Sequence, residues 1–139
     1  MRLGFGVTVL SAGIRKDGLD GIGFYTSELG KALLKQKLLN LKPISFGVPI
    51  PEDLLPTGQA GVQLGRFAPS AALSLLTPFG CPGSGKLKND IELFHATDHL
   101  VPRLHGIPVL ATVMDAIPLS NPQWVDKRFR ILGAGLWRH

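Results

Sequence analysis

The chain has 139 residues, 45% of them hydrophobic and 18% charged, a balance that fits one globular domain and excludes a disordered polypeptide. Its net charge of +5 favours anionic partners such as phosphates, nucleotides or acidic lipids. The single cysteine excludes an internal disulfide and a cysteine-based zinc site, and no stretch approaches the roughly 20 consecutive apolar residues that a membrane-spanning helix needs.

The first segment of the chain predicts a buried strand, because its apolar residues alternate with glycine and threonine. These apolar residues are Leu3, Phe5, Val7 and Val9. The same segment has the length of a short signal peptide, but Gly4 and Gly6 weaken the apolar helix that such a peptide forms. A polar, glycine-rich loop is predicted to follow over residues 11–20.

The rest of the chain alternates between helix and strand patterns. A helix is predicted over about residues 24–39, where apolar residues recur at three- and four-residue spacing and Tyr25 falls on the apolar stripe. Further strands are predicted at 43–48, 91–96 and 108–114, and a last helix at 121–132. Residues 49–89 predict an irregular connection in which 71–77 form either a short helix or a strand. The order of these elements predicts an α/β, Rossmann-like domain with a mostly parallel sheet and helices on both faces.

Gly21, Ile22 and Gly23 are predicted to form the turn between the first strand and the first helix. The backbone amides and the positive dipole end of a helix N-terminus can bind a phosphate group, and glycine lets a ligand approach the backbone closely. The segment lacks the third glycine of the dinucleotide-binding fingerprint. We therefore predict a substrate contact at Gly21–Gly23, with an ordinary tight turn as the alternative.

Polar residues follow two strands whose carboxyl ends are predicted to be neighbours. His95 and Asp98 lie at the end of one strand, and Asp115 lies at the end of the other. Ligands of open α/β sheets bind at this edge, where a carboxylate and an imidazole can meet for acid–base work. In the alternative interpretation, His95 is a hydrogen-bonded core residue and Asp98 caps a turn.

Asp115 is the strongest of these candidates. A carboxylate directly after an apolar strand carries a desolvation cost unless it is paired or faces a cleft. We predict that Asp115 and His95 are catalytic and that Asp98 contacts substrate. The three residues show no spacing typical of metal ligands, so no metal is predicted.

The last predicted helix, residues 121–132, is amphipathic and basic. Its basic residues include Lys127, Arg128 and Arg130, and Trp124 lies near its start. Such a helix can lie on an anionic membrane or dock on a partner, and the alternative is a helix packed on the sheet with a solvated basic face. Nucleic-acid binding is not predicted, because no recognisable binding module accompanies the charge.

Four segments of the chain resemble the N-terminal domain of family 4 (group 1) glycosyltransferases with the GT-B fold. The segments are Gly21–Thr26, Leu93–Ala96, Thr112–Leu119 and Pro122–Trp124, and their order and spacing match over nearly the whole chain. The resemblance implies a Rossmann-like acceptor domain of a retaining enzyme, which moves a sugar from a nucleotide-diphosphate donor to a glycan or lipid acceptor without a metal or other cofactor. It also implies that Gly21–Gly23 approach the donor diphosphate and the acceptor, and that Asp115 lines the cleft between two domains.

The chain departs from the family pattern in two ways. Many members carry a histidine that contacts the transferred sugar directly before the strand-end aspartate, but this chain has Met114 there. Because a thioether is only a weak hydrogen-bond acceptor, either His95 contributes from the adjacent strand or Asp115 acts without an imidazole. The nucleotide-binding half of the family would begin well after His139, so residues 1–139 are predicted to form one truncated domain with little activity alone.

The leading hypothesis is therefore the N-terminal part of a glycosyltransferase, expected in the cytoplasm either free or peripheral at the inner face of the membrane. A competing hypothesis is a non-catalytic module that docks on a membrane or a partner through the basic helix. A third hypothesis is a small dinucleotide-dependent enzyme. It is weakened by the missing glycine and by Gly47-Val48-Pro49, which stands where an acidic residue should end the second strand.

Overall fold

The computed structural model describes residues 1–55, 57, 59–76, 80–98, 101–114 and 121–124. Within these residues the strands are β1 (Arg2–Gly6), β2 (Asn40–Phe46), β3 (Val62–Leu64), β4 (Leu93–Ala96) and β5 (Val109–Ala111). The α-helices are α1 (Thr8–Arg15), α2 (Gly21–Leu34) and α3 (Phe67–Leu76), and 3-10 turns form at Ser84–Asn89 and Pro122–Trp124.

The five strands form one sheet in the order β3-β2-β1-β4-β5, and all of its neighbouring pairs are parallel. In register, Phe5 of β1 lies opposite Pro43 of β2 and His95 of β4. The predicted fold class is confirmed, because the domain is α/β and Rossmann-like, with a parallel sheet flanked by helices. The strand order reverses between β1 and β4, and ligands of such sheets bind at the carboxyl ends beside this switch point.

Two hydrophobic clusters cover the two faces of the sheet. Because side chains alternate along a strand, Leu3 and Phe5 lie on one face, while Gly4 and Gly6 lie on the other. The first face packs against α2, and its cluster contains Leu3, Phe5, Val7, Leu41 and Leu55 with Leu29 and Leu33 of the helix. The second face packs against α3 and the first 3-10 turn, and its cluster includes Ile44, Phe46, Leu64, Leu87, Phe94 and Ala96 with Phe67 of α3. Burial on both faces is the reason that the strands are predominantly apolar.

Helix α2 begins at a side-chain cap and packs closely on β1. The carboxylate of Asp20 accepts a hydrogen bond of 2.7 Å from the backbone N–H of Gly23, which satisfies a free amide of the first turn. A Cβ added to Gly30 would lie 3.2 Å from the ring of Phe5 and 3.0 Å from Leu55. Glycine at this position therefore sets the short distance between the helix and the sheet.

Helix α1 is the main difference from the sequence prediction. The first strand ends at Gly6, earlier than the alternation predicts, and residues 11–15 continue α1, so the predicted loop over 11–20 is wrong for this part. Val7, Leu10 and Ser11 are buried and have the i, i+3, i+4 spacing of one helix face. The alternation of the preceding strand overlaps this pattern at Val7 and hides it.

Residues 49–89 contain more regular structure than the sequence predicts. They include β3, α3 and the first 3-10 turn, and the segment left open between helix and strand is helical as far as Leu76. Strand β3 has three residues, which is too short for a readable alternation. Of the helix predicted at 121–132, the structure describes the 3-10 turn Pro122–Trp124, and residues 125–132 lie outside the described part of the chain.

Two ion pairs lie near the amino ends of the strands, and we refer to Arg2–Glu92 and Lys42–Asp90 as the amino-end pairs. Arg2 Nη2 lies 3.5 Å from Glu92 Oε1, and Lys42 Nζ lies 2.5 Å from Asp90 Oδ2. The backbone N–H of Arg2 also donates to Glu92 Oε2 at 2.9 Å. This hydrogen bond, together with the positive charge of Arg2, holds the pKa of Glu92 below its usual value.

Candidate functional site

The candidate site lies at the carboxyl ends of β4 and β5, where His95 and Thr112 come together. His95 is opposite Leu110 in the register of the two strands. The backbone N–H of Thr112 donates to the carbonyl oxygen of Ala96 at 2.9 Å, so the pairing continues one residue past β5. Because alternate residues share a face, Thr112 follows Leu110 onto the face that carries His95.

Helix α2 brings a third polar group to this face of the sheet. His95 Nε2 lies 2.9 Å from Thr112 Oγ1, and Tyr25 Oη lies 3.4 Å from the same oxygen. The first distance is that of a good hydrogen bond, and the second is that of a long, weak one. We call this arrangement the Tyr25–Thr112–His95 cluster, because it joins α2, β5 and β4 around one hydroxyl group.

His95 is buried, with 9% of its surface exposed, while Tyr25 and Thr112 are half-buried. The ring of Phe5 packs edge-on against the imidazole, with the ring centroids 6.0 Å apart and the planes at 75°. Burial lowers the pKa of His95, because desolvation penalises the charged imidazolium. At neutral pH the side chain is therefore a neutral imidazole, with one nitrogen that donates a hydrogen bond and one that accepts.

Strands β1 and β4 approach each other closely beside the cluster. The buried hydroxyl of Thr97 donates to the carbonyl oxygen of Gly6 at 2.7 Å. A Cβ added to Gly6 would lie 3.2 Å from the carbonyl oxygen of His95 and 3.5 Å from the backbone nitrogen of Thr97. These contacts fix the backbone of His95 from the side of β1.

Gly21, Ile22 and Gly23 lie at the N-terminus of α2, in its first turn and not in a turn before the helix, which begins three residues earlier than predicted. Helix α1 lies between β1 and this segment and replaces part of the predicted loop. The amide of Gly23 is already bonded to the carboxylate of Asp20, which competes with any incoming anion. A Cβ at Gly21 would meet no atom within 4 Å, so space for a ligand remains there. The predicted substrate contact stays a prediction.

Of the residues predicted at the strand ends, the structure describes His95 and Asp98. Asp98 is buried, with 3% of its surface exposed, and follows Thr97 directly after β4. Met114, which precedes Asp115, is 42% exposed. Asp115 lies outside the described residues, so its predicted position beside His95 stays a prediction.

The sequence prediction missed Tyr25 and Thr112 as members of the site. The sequence pattern places Tyr25 on the apolar stripe of its helix and Thr112 in the body of a strand. The sequence gives a partial signal for Thr112, because alternation places this polar residue on the same face as Leu110. That the face also carries His95 follows from the register of the two strands in the structure. The contact with Tyr25 depends on how α2 lies across the sheet, which no local pattern specifies.

Among the residues that the structure describes, no three His, Cys, Asp or Glu side chains are grouped so that they could hold a metal ion. In the same part of the chain, no helix combines the length and the apolar character needed to cross a bilayer. The basic residues Lys127, Arg128 and Arg130 lie outside it, so their predicted contact with a membrane or a partner stays a prediction.

Comparison of the chain with known protein families, with curated proteins and with solved structures finds no match in any of the three. A proposal about function therefore depends on the fold and on the geometry of the Tyr25–Thr112–His95 cluster. The resemblance to family 4 glycosyltransferases stays a prediction from the sequence.

Proposed function

We propose that this chain forms the acceptor-side wall of the cleft in a retaining glycosyltransferase that uses a nucleotide-diphosphate sugar. The observation that carries the proposal is the Tyr25–Thr112–His95 cluster at the carboxyl edge of a parallel sheet. Open α/β sheets bind their ligands at this edge. The three residues also lie within segments that resemble the family, at Gly21–Thr26, Leu93–Ala96 and Thr112–Leu119, which supports the same proposal.

The chemistry of the cluster suits a ligand rich in hydroxyl groups. A phenol, an aliphatic hydroxyl and a neutral imidazole each donate and accept hydrogen bonds, as a sugar hydroxyl does. None of the three carries a fixed charge at neutral pH, so the cluster favours a neutral sugar over a diphosphate. Phe24 directly precedes Tyr25, Met114 lies two residues after Thr112, and the two side chains are 62% and 42% exposed. Small-molecule sites typically combine apolar side chains with a few polar groups, so exposed apolar residues near the cluster in sequence support the proposal.

In this proposal His95 takes over from the imidazole that the family carries at the position of Met114. The hydrogen bond between Thr112 and His95 ties the imidazole to the end of β5, three residues before Asp115. His95 would contact a hydroxyl group of the transferred sugar or of the acceptor, and Asp115 would line the cleft beside it. Gly21 would offer its open backbone to the same ligand.

The chemical step also requires residues on the opposite side of the cleft, which we call the second wall. The departing nucleoside diphosphate develops negative charge, which must be stabilised by cationic side chains, backbone amides or both. The Tyr25–Thr112–His95 cluster supplies no such charge. We therefore propose that a nucleotide-binding domain provides it, and we expect residues 1–139 alone to show little or no turnover.

The binding part of the proposal is tested by NMR titration of the 15N-labelled chain with methyl glycosides and with nucleotide-diphosphate sugars. We expect amide shifts at Tyr25, His95 and Thr112 and a Kd on the order of 1 mM, because one wall buries only part of the ligand. His95→Ala should remove these shifts. Asp90→Asn, a substitution at the other end of the sheet, should keep them.

Two outcomes would contradict the proposal. If the folded chain shows no shifts at the carboxyl edge with any glycoside or nucleotide sugar, the sugar site is wrong. If residues 1–139 alone turn over a nucleotide sugar robustly, the requirement for a second wall is wrong. The turnover assay uses each donor with a panel of glycoside acceptors, and His95→Ala is the matched inactive variant.

A further inference from the structure

The hydroxyl group of Thr112 stands between two partners and has only one proton. Its oxygen lies 2.9 Å from His95 Nε2 and 3.4 Å from Tyr25 Oη. A threonine hydroxyl donates one hydrogen bond and accepts up to two, so it cannot donate to both neighbours at once. The direction of these two bonds therefore decides which nitrogen of His95 carries the proton.

The relative acidities of the groups favour one direction. A phenol is a stronger proton donor than an aliphatic hydroxyl, so Tyr25 donates to Thr112 Oγ1 and the proton of Thr112 is left for His95 Nε2. Hydrogen bonds that run in one direction polarise one another, and the bond from Tyr25 makes Thr112 a better donor. The distance of 2.9 Å between Thr112 Oγ1 and His95 Nε2 is an ordinary hydrogen-bond distance and permits this direction.

We propose that Tyr25 and Thr112 are positioning residues that hold His95 as the tautomer with its proton on Nδ1. In this arrangement Nε2 accepts from Thr112, and Nδ1 is the only ring atom with a proton to donate. The burial that keeps the imidazole neutral supports the arrangement, because a protonated ring would have to donate from Nε2 as well.

The inference deepens the proposed function and rests on it for its catalytic meaning. A neutral imidazole protonated on Nδ1 can donate a hydrogen bond to a sugar oxygen from that atom, but it cannot remove a proton there. His95 would thus bind and orient a hydroxyl oxygen of the ligand and would not act as a general base through Nδ1. The task of accepting a proton would then fall to another group.

The test is a 15N NMR measurement of the ring nitrogens of His95 in the chain without ligand, near neutral pH. We expect two well-separated resonances, with Nδ1 protonated and Nε2 of the unprotonated type. Thr112→Val removes the donor to Nε2 and should bring the two resonances together or reverse them. Thr112→Ser keeps the hydroxyl and should restore the wild-type pattern, which loss of packing alone would not explain.

The control variant is Thr26→Val. Thr26 is a buried threonine on the same helix as Tyr25, and its hydroxyl finds no hydrogen-bond partner among the described residues. This substitution should leave the resonances of His95 unchanged. Tyr25→Phe should weaken the preference for the Nδ1 tautomer less than Thr112→Val does, because the bond that it removes is the longer one.

A proton on Nε2 in the wild-type chain overturns the inference, and this result needs no variant to fold. An unchanged tautomer in folded Thr112→Val also overturns it. Because the measurement uses no sugar, failure of glycoside binding would remove the proposed function and leave the tautomer assignment standing. Conversely, glycoside binding together with a proton on Nε2 would keep the proposed function and remove the inference.

Discussion

The two ends of the sheet hold the same strands together by different chemistry. At one end, the amino-end pairs use charged side chains that are 19–50% exposed. At the other end, the Tyr25–Thr112–His95 cluster and the bond from Thr97 to Gly6 use uncharged groups, and both His95 and Thr97 are buried. Exposed ion pairs contribute little because water screens them, whereas a buried polar group that loses its partner is costly.

This difference predicts which end of the sheet tolerates substitution and at which end a ligand is expected to bind. We expect charged residues near the amino ends to change with little effect on the fold, and open α/β sheets bind their ligands at the opposite edge. The carboxyl end carries buried polar groups that the fold must satisfy and that a ligand can also use. Substitutions at the carboxyl end are therefore expected to disturb stability more than substitutions at the amino end.

The largest loss of stability is expected for Phe5→Ala. Phe5 is completely buried and packs against the imidazole of His95. Truncation of a buried phenylalanine lowers the free energy of unfolding by about 3–5 kcal/mol, because contacts are lost and a cavity remains. Urea denaturation measures this loss. Leu38→Ala, at a leucine that is 87% exposed, is the control and should change stability by no more than about 0.5 kcal/mol. Equal losses in the two variants would contradict the assignment of Phe5 to the core.

A smaller loss is expected for Thr97→Val, which removes the hydroxyl that donates to Gly6. The substitution leaves the shape of the side chain nearly unchanged but takes a partner from a buried carbonyl oxygen. We expect the free energy of unfolding to fall by about 1–3 kcal/mol, and Thr97→Ser should recover most of it. Denaturant titration of the wild type, Thr97→Val and Thr97→Ser measures these differences in the free energy of unfolding. A valine variant as stable as the wild type would show that the buried bond contributes nothing.

Acidification is expected to lower the free energy of unfolding, because His95 is buried at the carboxyl edge of the sheet. The unfolded chain has an imidazole pKa near the ordinary value of 6.5, and burial lowers the pKa in the folded chain. As the pH falls through about 6.5, the unfolded chain takes up a proton first, so the free energy of unfolding decreases until the pH passes the folded pKa. His95→Gln should lack this loss, and His105→Gln, at an exposed histidine, should keep it. Identical pH profiles for wild type and His95→Gln would argue against the lowered pKa.

The smallest effect is expected for Asp90→Asn at the amino-end pairs. The partner Lys42 Nζ lies 2.5 Å from the carboxylate, but the side chain of Asp90 is 43% exposed. Solvent screening limits such a pair to roughly 0–1 kcal/mol, and added salt should reduce the difference between variant and wild type further. Thermal unfolding of the wild type and of Asp90→Asn at low and high salt measures this difference. A loss comparable to that of Thr97→Val would remove the contrast between the two ends.

The sequence predicts the parallel sheet well because its strands are buried on both faces and read as apolar runs. It predicts α1 poorly, since the strand alternation continues by chance to Val9 while the helical spacing begins at Val7. The start of α2 is also displaced, because Gly21 and Gly23 suggest a turn. The signal in favour of the helix was Asp20, a good capping residue three positions before Gly23.

The candidate site is predictable only in part, because a local sequence pattern indicates His95 but not Tyr25. His95 follows from the rule that polar residues at strand ends are site candidates. Tyr25 does not, because its ring belongs to an apolar stripe and only its hydroxyl group reaches Thr112. That contact is set by the tertiary packing of α2 on the sheet. The packing in turn depends on Gly30, because a glycine has no side chain to hold the helix away from Phe5 and Leu55.

Gly6 limits which residues can change at the carboxyl edge of the sheet, beside His95. A Cβ at position 6 would lie 3.2 Å from the carbonyl oxygen of His95, a tight contact that requires the main chain of β4 to shift by a few tenths of an ångström. The backbone beside His95 therefore leaves little room for a side chain at position 6. If the proposed function holds, we expect variation in the ligand to depend on α2 and on the end of β5, through residues such as Tyr25 and Met114. Substitutions there would then change selectivity while the backbone of His95 stays in place.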